Sequence, residues 1–442
     1  MSTRTLTFVL AIGLLPSLVP AQGQVHVVDA AGGAGAAFTD LPAAVAAAAP
    51  GDTVLVRSGA YSPFTLDGKG LFVLADTGAD VAIDGTVAVR NLPAGQSVML
   101  RGLATGAVLH EGLLVEDCAG GVRVEDCSFT GQAGTAPSPF FPQQTLHYDG
   151  WAGARLENSG DVAFARCELI GGEGLQAHVG GGSGDGAHGL DMSGSVAVFE
   201  DGTCFGGRGG VGSLYLGIGG YPYPYPGSGG VGASVHMSTL VVGGSALTGG
   251  PGAHGESGDF ECSGGASGGS GATVWADSTF YPRDSTFTGG PAGLGGNDGV
   301  GGSCSDGSDG QPITTSFNST TIPLSGGSRE LVAPAPFRVP GVESLQFAGT
   351  PGDLVLSAFA APSGGQVILP PLGGTLFPVD PLLVTVHGAI PAGGVLDVPV
   401  SVLALPAGLA SVALHGQAAH VDAAGQPVLG PFSSVLLLGP GY

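Results

Sequence analysis

The sequence repeats about every 40 residues between positions 122 and 289, and each copy is a short strand pattern that ends in glycine. Strands of three to five residues cannot bury their apolar faces alone, whereas stacked copies bury a continuous core. The repeat therefore predicts a parallel β-helix with one coil per copy. The five copies are Val122–Gly131, Val162–Gly171, Val196–Gly206, Leu240–Gly249 and Phe280–Gly289. Alignment on the apolar residue close before the final glycine matches Phe129, Leu169, Phe205, Leu247 and Phe287.

Each copy is preceded by a second strand pattern, and the last four are followed by long stretches rich in glycine. Glycine-rich stretches between strand patterns predict loops. Because they recur at one place in every copy, the loops are expected to stack beside one another along the coils. They cover residues 171–188, 206–232, 249–271 and 289–312.

Residues 24–112 fit the same fold with shorter coils, and they include strand patterns such as Thr53–Arg57 and Leu71–Ala75. Before these strands, Asp40–Ala49 is predicted to be a short helix, with Thr39 as its cap and Pro50 after its end. A β-helix has an open apolar end, so a helix at this place is expected to cover it.

The opening of this region resembles a known family. Ala47–Val56, followed by Ser58–Tyr61, is similar to the opening of secreted right-handed parallel β-helix proteins of the pectin-lyase-like superfamily. The Gly-Gly loops between Cys- and Ser-centred strands resemble a glycine-rich, exported bacterial branch of it. The resemblance covers residues 22–320 and implies an all-β, right-handed parallel β-helix with a short N-terminal capping helix. It does not fix an activity, because one fold hosts many functions.

From about residue 321 the Gly-Gly runs become rarer, and proline and valine become more frequent. Seven short strand patterns with glycine or proline turns predict a C-terminal β-sandwich over residues 325–442. We interpret this part as an accessory or attachment domain.

The first 21 residues and the negative net charge of the chain both indicate export. Arg4, an apolar run over 6–15 and the Val19-Pro20-Ala21 site predict a signal peptide over residues 1–21, and no later stretch is predicted to span a membrane. Asp and Glu number 35 against 12 Lys and Arg, which gives a net charge of −23. That charge argues against binding to nucleic acid or anionic membranes. The expected location is extracellular, either secreted or at the cell surface.

Six cysteines in an exported chain form two groups. Cys262 and Cys304 lie in glycine-rich loops of neighbouring copies, so they are predicted to form a disulfide. Cys127, Cys167 and Cys204 occupy about the same place in consecutive copies and predict a buried stack of reduced thiols, while Cys118 lies in a similar apolar context.

The charged residues next to the strand cysteines are the candidate catalytic group. Asp126, Arg166 and Asp201 fall at about the same place in three consecutive coils. Polysaccharide lyases use an Arg or Lys base and often Ca²⁺, and paired carboxylates are used for hydrolysis. The same column is equally explained as a ladder of salt bridges that separates stacked like charges.

Aromatic residues supply two candidate binding segments. His147, Tyr148, Asp149 and Trp151 form a tight cluster suited to stacking on sugar rings, or to packing of the loop against the coil. Tyr221, Tyr223 and Tyr225 alternate with proline and predict a stiff aromatic loop tip, or a spacer.

No cofactor or metal site is predicted. Ca²⁺ is the one cation that the sequence leaves open, because Asp298, Asp306 and Asp309 share a loop. The leading hypothesis is a non-catalytic exported β-helix that binds polysaccharide or neighbouring cell-surface material. The alternatives are a lyase or hydrolase of acidic polysaccharide, with its site on residues 114–205, and a purely structural envelope component.

Overall fold

The computed structural model describes residues 8–10, 23–106, 110–135, 149–176, 183–211, 226–257, 262–334, 336–362, 365–377, 381–402, 404–406 and 408–442. Strands dominate these residues, together with one α-helix, Leu41–Ala47, and a 3₁₀ turn, Pro370–Leu372. Most of the predicted signal peptide lies outside the described residues. Its described part, Phe8–Leu10, is a strand that pairs in parallel with Val400–Val402.

Three long parallel sheets receive one strand each from successive coils. This all-β architecture is consistent with the predicted parallel β-helix. Sheet I contains Val25–Val28, Thr53–Val56, Phe72–Ala75, Ser97–Arg101, Gly121–Glu125, Val162–Ala165, Val196–Glu200, Thr239–Gly243, Thr279–Arg283 and Thr320–Thr321. Sheet II contains Gly59–Tyr61, Val81–Ile83, Leu103–Thr105, Ser128–Thr130, Glu168–Ile170, Thr203–Phe205, Ala246–Thr248 and Thr286–Thr288. Sheet III contains Phe64–Asp67, Val87–Arg90, Leu113–Glu116, Ala154–Glu157, Leu190–Ser193, Ala233–His236, Ala272–Trp275 and Ile313–Thr315.

The burial of the strands distinguishes sheet I from the other two sheets. Strands of sheet II such as Val81–Ile83 alternate between buried and exposed residues, because only one face meets the core. Strands of sheet I such as Thr53–Val56 and Val162–Ala165 are buried at every residue. Continuous apolar runs of this kind are typical of strands covered on both faces. Sheet I must therefore be covered on its outer face.

The cover consists of residues after 328. Glu330–Val332, Gly341–Ala348 and Val395–Val402 form one sheet with Phe8–Leu10. A five-stranded sheet, which shares a buried core with the first, contains Phe337–Arg338, Leu354–Ala360, Leu383–Ala389, Ser411–Val421 and Pro427–Leu438. Val367–Leu369 pairs with Gly374–Leu376. Apolar residues on the outer face of sheet I pack against this unit in two buried clusters, Leu55, Leu74 and Met99 with Leu436 and Leu438, and Ala163, Val198 and Val241 with Phe377 and Phe432.

The predicted capping helix is present, but it is shorter than predicted and begins at a different cap. Asp40, not Thr39, is the N-cap, and its carboxylate accepts a hydrogen bond from the backbone N–H of Leu41. A carboxylate is an equally good cap, and here it also accepts from the N–H of Ser62. Leu41 and Val45 are buried in the core of the coils, so the helix covers their open end as expected.

One coil is out of step with the predicted alignment. Cys204, not Phe205, pairs with Leu169 and Leu247 in sheet II, and Phe205 faces outward. The strand Val196–Glu200 is one residue longer at its start than its neighbour, since Val162 pairs with Ala197. Cys204 is therefore one of the core side chains of sheet II and does not belong to the column of Cys127 and Cys167.

Gly202, Ser245 and Ser285 continue the column of Cys127 and Cys167. Their shared place is set by the turn that leads from sheet I to sheet II. The four cysteines outside the predicted disulfide are buried and unpaired: Cys118, Cys127, Cys167 and Cys204. Burial raises the pKa of Cys127 to about 12, so these thiols act as small apolar groups.

The glycine-rich stretches form an ordered layer between sheets II and III. Each described stretch consists of an outgoing leg and a returning leg, and hydrogen bonds between neighbouring legs recur at every third residue. The N–H groups of Gly252 and Gly255 donate to carbonyls of the next outgoing leg, and that of Gly249 donates to Thr288 just before this leg, all at 2.8–2.9 Å. A three-residue period without bonds inside the leg is typical of polyproline II helices. The described outgoing legs are 131–134, 171–176, 206–211, 249–257 and 289–297, and the returning legs are 149–153, 183–189, 226–232, 262–271 and 303–312.

Glycine is required where legs meet. A Cβ atom on Gly250 would lie 1.9 Å from the carbonyl oxygen of Gly207, and one on Gly207 would lie 1.9 Å from that of Gly172. The exposed side chains of the outgoing legs lie at the remaining third of the positions: Ala133, Glu173, Gln176, Arg208, His254, Ser257, Pro291, Leu294 and Asn297. The predicted disulfide between Cys262 and Cys304 joins two returning legs, with a Cα–Cα distance of 5.8 Å.

Candidate functional site

Charged residues stack in register at the ends of the sheet I strands. Arg101, Glu125, Ala165, Glu200, Gly243 and Arg283 occupy one column across six coils. The two small residues leave room for long neighbours. The Nη2 atom of Arg283 passes over Gly243 and donates to Glu200 at 3.0 Å. The column lies on the outer face of sheet I, where the C-terminal strands cover it.

Glu125 is at the centre of this contact and is fully buried. Its carboxylate accepts from the Ser433 hydroxyl and the Ser434 N–H, both at 2.8 Å. It also pairs with Arg101, at 3.4 Å, and with Arg166. Arg101 itself donates to the backbone carbonyl of Ser434 at 2.7 Å. The charges of the coils therefore bind the C-terminal strands.

The predicted candidate catalytic residues form the neighbouring column. Asp126, Arg166 and Asp201 occur at one turn position in consecutive coils, each in the left-handed backbone region with φ of 53–54°. Gly102, Gly244 and Asp284 extend this column. Asp and Gly are common in this region, whereas Arg is unusual there.

The structure brings the three residues together and pairs two of them. Asp126 accepts from the Nε atoms of Arg101, at 2.9 Å, and of Arg166, at 2.7 Å. Burial lowers the pKa of Arg166, but the nearby carboxylates of Glu125 and Asp126 outweigh it, and the pKa lies above its ordinary value. Because a base must lose its proton, Arg166 is poorly suited to proton abstraction.

A groove of about 470 Å³ runs beside this column on sheet II. Four carboxylates and one guanidinium line it: Asp80, Asp126, Glu168, Asp201 and Arg166. Glu168 accepts from the Ser128 hydroxyl at 3.1 Å. The groove therefore holds more negative than positive groups, and an acidic polymer entering it would meet repulsion.

Two acids of the site, the buried Glu200 and the half-buried Asp201, are incompletely paired. Burial raises the pKa of Asp201 to about 7, with Glu200 and Glu330 adding to the effect. Burial also raises the pKa of Glu200 to about 7, against the influence of Arg283. One carboxylate oxygen of each residue is buried without a hydrogen-bond partner among the described residues. Both acids are therefore easier to protonate than usual.

The raised pKa of Asp201 predicts that Asp201→Asn stabilises the protein at pH 8 but not at pH 4. The pKa of Asp201 is about 7 in the folded state and 3.8 in the unfolded state. The stability that this group contributes is therefore fully present below pH 3.8 and is lost as the pH rises through 7. Asparagine removes the loss, so the free energy of unfolding at pH 8 should rise by about 2 kcal/mol, after allowance for partial exposure. Urea unfolding at both pH values measures it.

Asp284→Asn is the matched control in the same column. The N–H and hydroxyl of Ser328 lower the pKa of Asp284, so this carboxylate stabilises the fold above pH 3.8 and its removal should destabilise the protein at pH 8. Buried histidines oppose the wild-type trend, because burial lowers the pKa of His387, His415 and His420 to about 4, 3 and 4. The free energy of unfolding of each variant is therefore compared with that of wild type at the same pH. Equal effects of both substitutions would contradict the prediction.

The predicted aromatic sites are only partly described. His147, Tyr148, Tyr221, Tyr223 and Tyr225 lie outside the described residues. Asp149 accepts from the N–H of Asp185 at 2.8 Å, which links two returning legs. Trp151 is half-buried and contacts the His110 ring edge-on at 4.6 Å. These contacts favour the interpretation in which this loop packs against the coils.

The carboxylates of the predicted Ca²⁺ loop accept hydrogen bonds from backbone N–H groups. Asp306 accepts from Gly295 N–H, Asp309 from Ala292 N–H and Asp298 from Gly302 N–H, all at 2.6–2.8 Å. Over the described parts of the chain, no three His, Cys, Asp or Glu residues are grouped so that they could hold a metal ion.

Sequence reasoning missed one exposed aromatic group. His236 and Trp275 pair in sheet III with stacked rings, and Met237 and Phe317 lie at the adjoining turns. The sequence carries one signal for this group. Asn91, Asp117 and Asn158 fill the same turn in earlier coils, and Met237 and Phe317 interrupt this polar series.

The helices and two sequence comparisons give the remaining findings. None of the helices among the described residues has the length and hydropathy needed to cross a bilayer. The chain matches no protein-family model, and no curated protein is similar to it in sequence.

Proposed function

We propose that this protein is an exported, non-catalytic β-helix that binds carbohydrate or neighbouring cell-surface material. In this proposal the coils are right-handed, as in the pectin-lyase-like superfamily that the sequence resembles. Residues 325–442 form a β-sandwich fixed to sheet I, and this module attaches the coils to the surface.

The pairing of the candidate catalytic column is the observation that carries the proposal. Asp126 and Arg166 neutralise each other, and Arg166 also pairs with buried Glu125. Side chains held in this way link the coils to the C-terminal strands, and the ion-paired Asp126 and Arg166 are poorly placed to act as acid and base. The anionic groove further favours a neutral polysaccharide over an acidic one.

Polymer size and co-elution test the proposal directly. The predicted mature chain, residues 22–442, is incubated with acidic and neutral polysaccharides and Ca²⁺, and each mixture is separated by size-exclusion chromatography. We expect at least one neutral polymer to co-elute with the protein without becoming shorter. Shortening of any polymer would contradict the non-catalytic proposal, and the absence of both effects would favour a purely structural role.

A polysaccharide hydrolase is the second candidate, and Asp201 is the observation that favours it. This acid lines the groove with Asp126 and has a pKa of about 7, as expected of a general acid. If a polymer is shortened, Asp201→Asn should abolish the activity. Asp80→Asn, in the same groove but away from the column, should leave most of it.

A further inference from the structure

Three exposed side chains and the half-buried His236 form a ledge at the ends of sheet III strands, in the coils nearest the C-terminal end of the stack. We define the ledge as His236, Met237, Trp275 and Phe317. The exposed fractions are 55% for Met237, 39% for Trp275 and 77% for Phe317. Large apolar side chains exposed together in this way mark interaction sites more often than isolated ones do.

The geometry of the ledge is regular. His236 and Trp275 are register partners in adjacent strands, with ring centroids 4.2 Å apart and an interplanar angle of 29°. The adjoining turns are joined by backbone hydrogen bonds, from Met237 N to Ala276 O at 3.1 Å and from Asp277 N to Phe317 O at 3.0 Å. Met237 therefore lies at the turn of the coil that contains His236, and Phe317 lies at the corresponding turn of the coil after Trp275.

The backbone at these turns indicates that the apolar residues are not there for stability. Met237 has a φ of 46° and Phe317 a φ of 52°. The left-handed region costs a bulky residue about 1 kcal/mol or more, and earlier coils fill this turn with Asn, Asp or Gly. Met237 and Phe317 thus combine an unfavourable backbone with exposure to water. Strain of this kind is concentrated at functional sites.

We propose that the ledge is a binding site for a neutral saccharide chain, with one sugar ring stacked on Trp275. This inference rests on the proposed carbohydrate-binding function and names its surface. Aromatic rings present a flat apolar face to the C–H face of a sugar, and His236 holds the indole from behind.

Polar groups continue the ledge along the stack. Glu157 and Ser193 precede His236 in the same column, one per coil at a spacing of about 4.8 Å. The Ser193 hydroxyl lies 3.4 Å from Nδ1 of His236. Such groups hydrogen-bond sugar hydroxyls. Because Glu157 is ion-paired with Arg155, it is the net charge of −23 that disfavours uronate chains.

Tryptophan fluorescence gives a direct test, because the chain has two tryptophans, Trp151 and Trp275. The full chain is expressed with its own signal segment, in a Trp151→Phe background, and titrated with cellohexaose, laminarihexaose and hexagalacturonate. A neutral hexamer should shift the Trp275 emission, whereas hexagalacturonate should not. In the Trp151-containing protein, calorimetry should show about tenfold weaker binding after Trp275→Ala or Phe317→Ala, a change of about 1.4 kcal/mol. Phe205→Ala is the matched control, since Phe205 is 37% exposed but lies on sheet II, and it should bind as wild type does.

The remaining outcomes separate the two proposals. If a neutral polymer binds wild type and Trp275→Ala equally, the ledge is not the site, although the proposed function stands. If wild type binds none of the saccharides or the polysaccharide panel, both proposals fail. If the apparent mass of wild type rises with concentration and that of Trp275→Ala does not, the ledge is an interface between copies, and the inference is overturned.

Discussion

Replacement of Gly250 by alanine is expected to lower the free energy of unfolding by about 3 kcal/mol or more. The new methyl group would lie 1.9 Å from the carbonyl oxygen of Gly207, which belongs to the neighbouring outgoing leg. The legs cannot separate without breaking bonds, since Gly250 donates to Gly230 at 2.7 Å and accepts from Gly269 at 2.9 Å. Urea unfolding followed by circular dichroism measures the change.

Gly160→Ala is the matched control for this substitution. Gly160 has no heavy atom within 4 Å of its Cβ position, and its φ is outside the left-handed region. Its replacement should change the free energy of unfolding by less than about 0.5 kcal/mol. Similar effects of the two substitutions would show that the glycine-rich legs are not packed as described.

Replacement of Glu125 by alanine should be the most destabilising change in the candidate site, at about 3–5 kcal/mol. It leaves Arg101 without its buried partner and removes the acceptor of Ser433 and Ser434. The C-terminal strands should therefore loosen from sheet I. Limited proteolysis, with cleavage expected near residues 321–329, detects that loosening.

Glu116→Ala is the control for removal of a carboxylate. Glu116 ends a sheet III strand and pairs with Arg90 at 3.1 Å, but both side chains are about one-third exposed or more. An exposed ion pair contributes about 0–1 kcal/mol, so this variant should unfold nearly as wild type does. A Glu125→Ala protein as stable as Glu116→Ala would rule out Glu125 as an anchor.

The sequence predicted the parallel architecture because local features specify it. Each coil carries its own strand patterns and turn residues, such as Asp117 and Asn158, and these recur at a nearly constant interval from one coil to the next. The Cys262–Cys304 disulfide was predictable for the same reason, since neighbouring coils must bring corresponding loops together. The column of Asp126, Arg166 and Asp201 was also found by alignment, because turn positions stay fixed when a strand lengthens at its start.

Other features depend on contacts that a single coil does not encode. Gly202 takes the place of Cys167, so Cys204 lies two residues beyond the cysteine column, and two apolar candidates for the core position, Cys204 and Phe205, stood side by side. Two partners of Glu125, Ser433 and Ser434, lie more than 300 residues away, so its contact with the C-terminal strands could not be predicted from its surroundings. The order of the glycine-rich legs was not predicted, because glycine-rich stretches between strand patterns are typical of loops, and the three-residue period depends on hydrogen bonds between coils.

That period has a consequence for how such chains can change in length. Within a leg, one glycine contacts the next coil, the following residue contacts the opposite leg, and the third faces water. Inserting one or two residues would exchange these roles for every residue beyond the insertion, much as a shifted reading frame changes every later codon. Insertion of a whole triplet leaves the roles intact. Related chains should therefore differ in leg length in steps of three, so the outward-facing residues can vary freely while the glycine frame is kept.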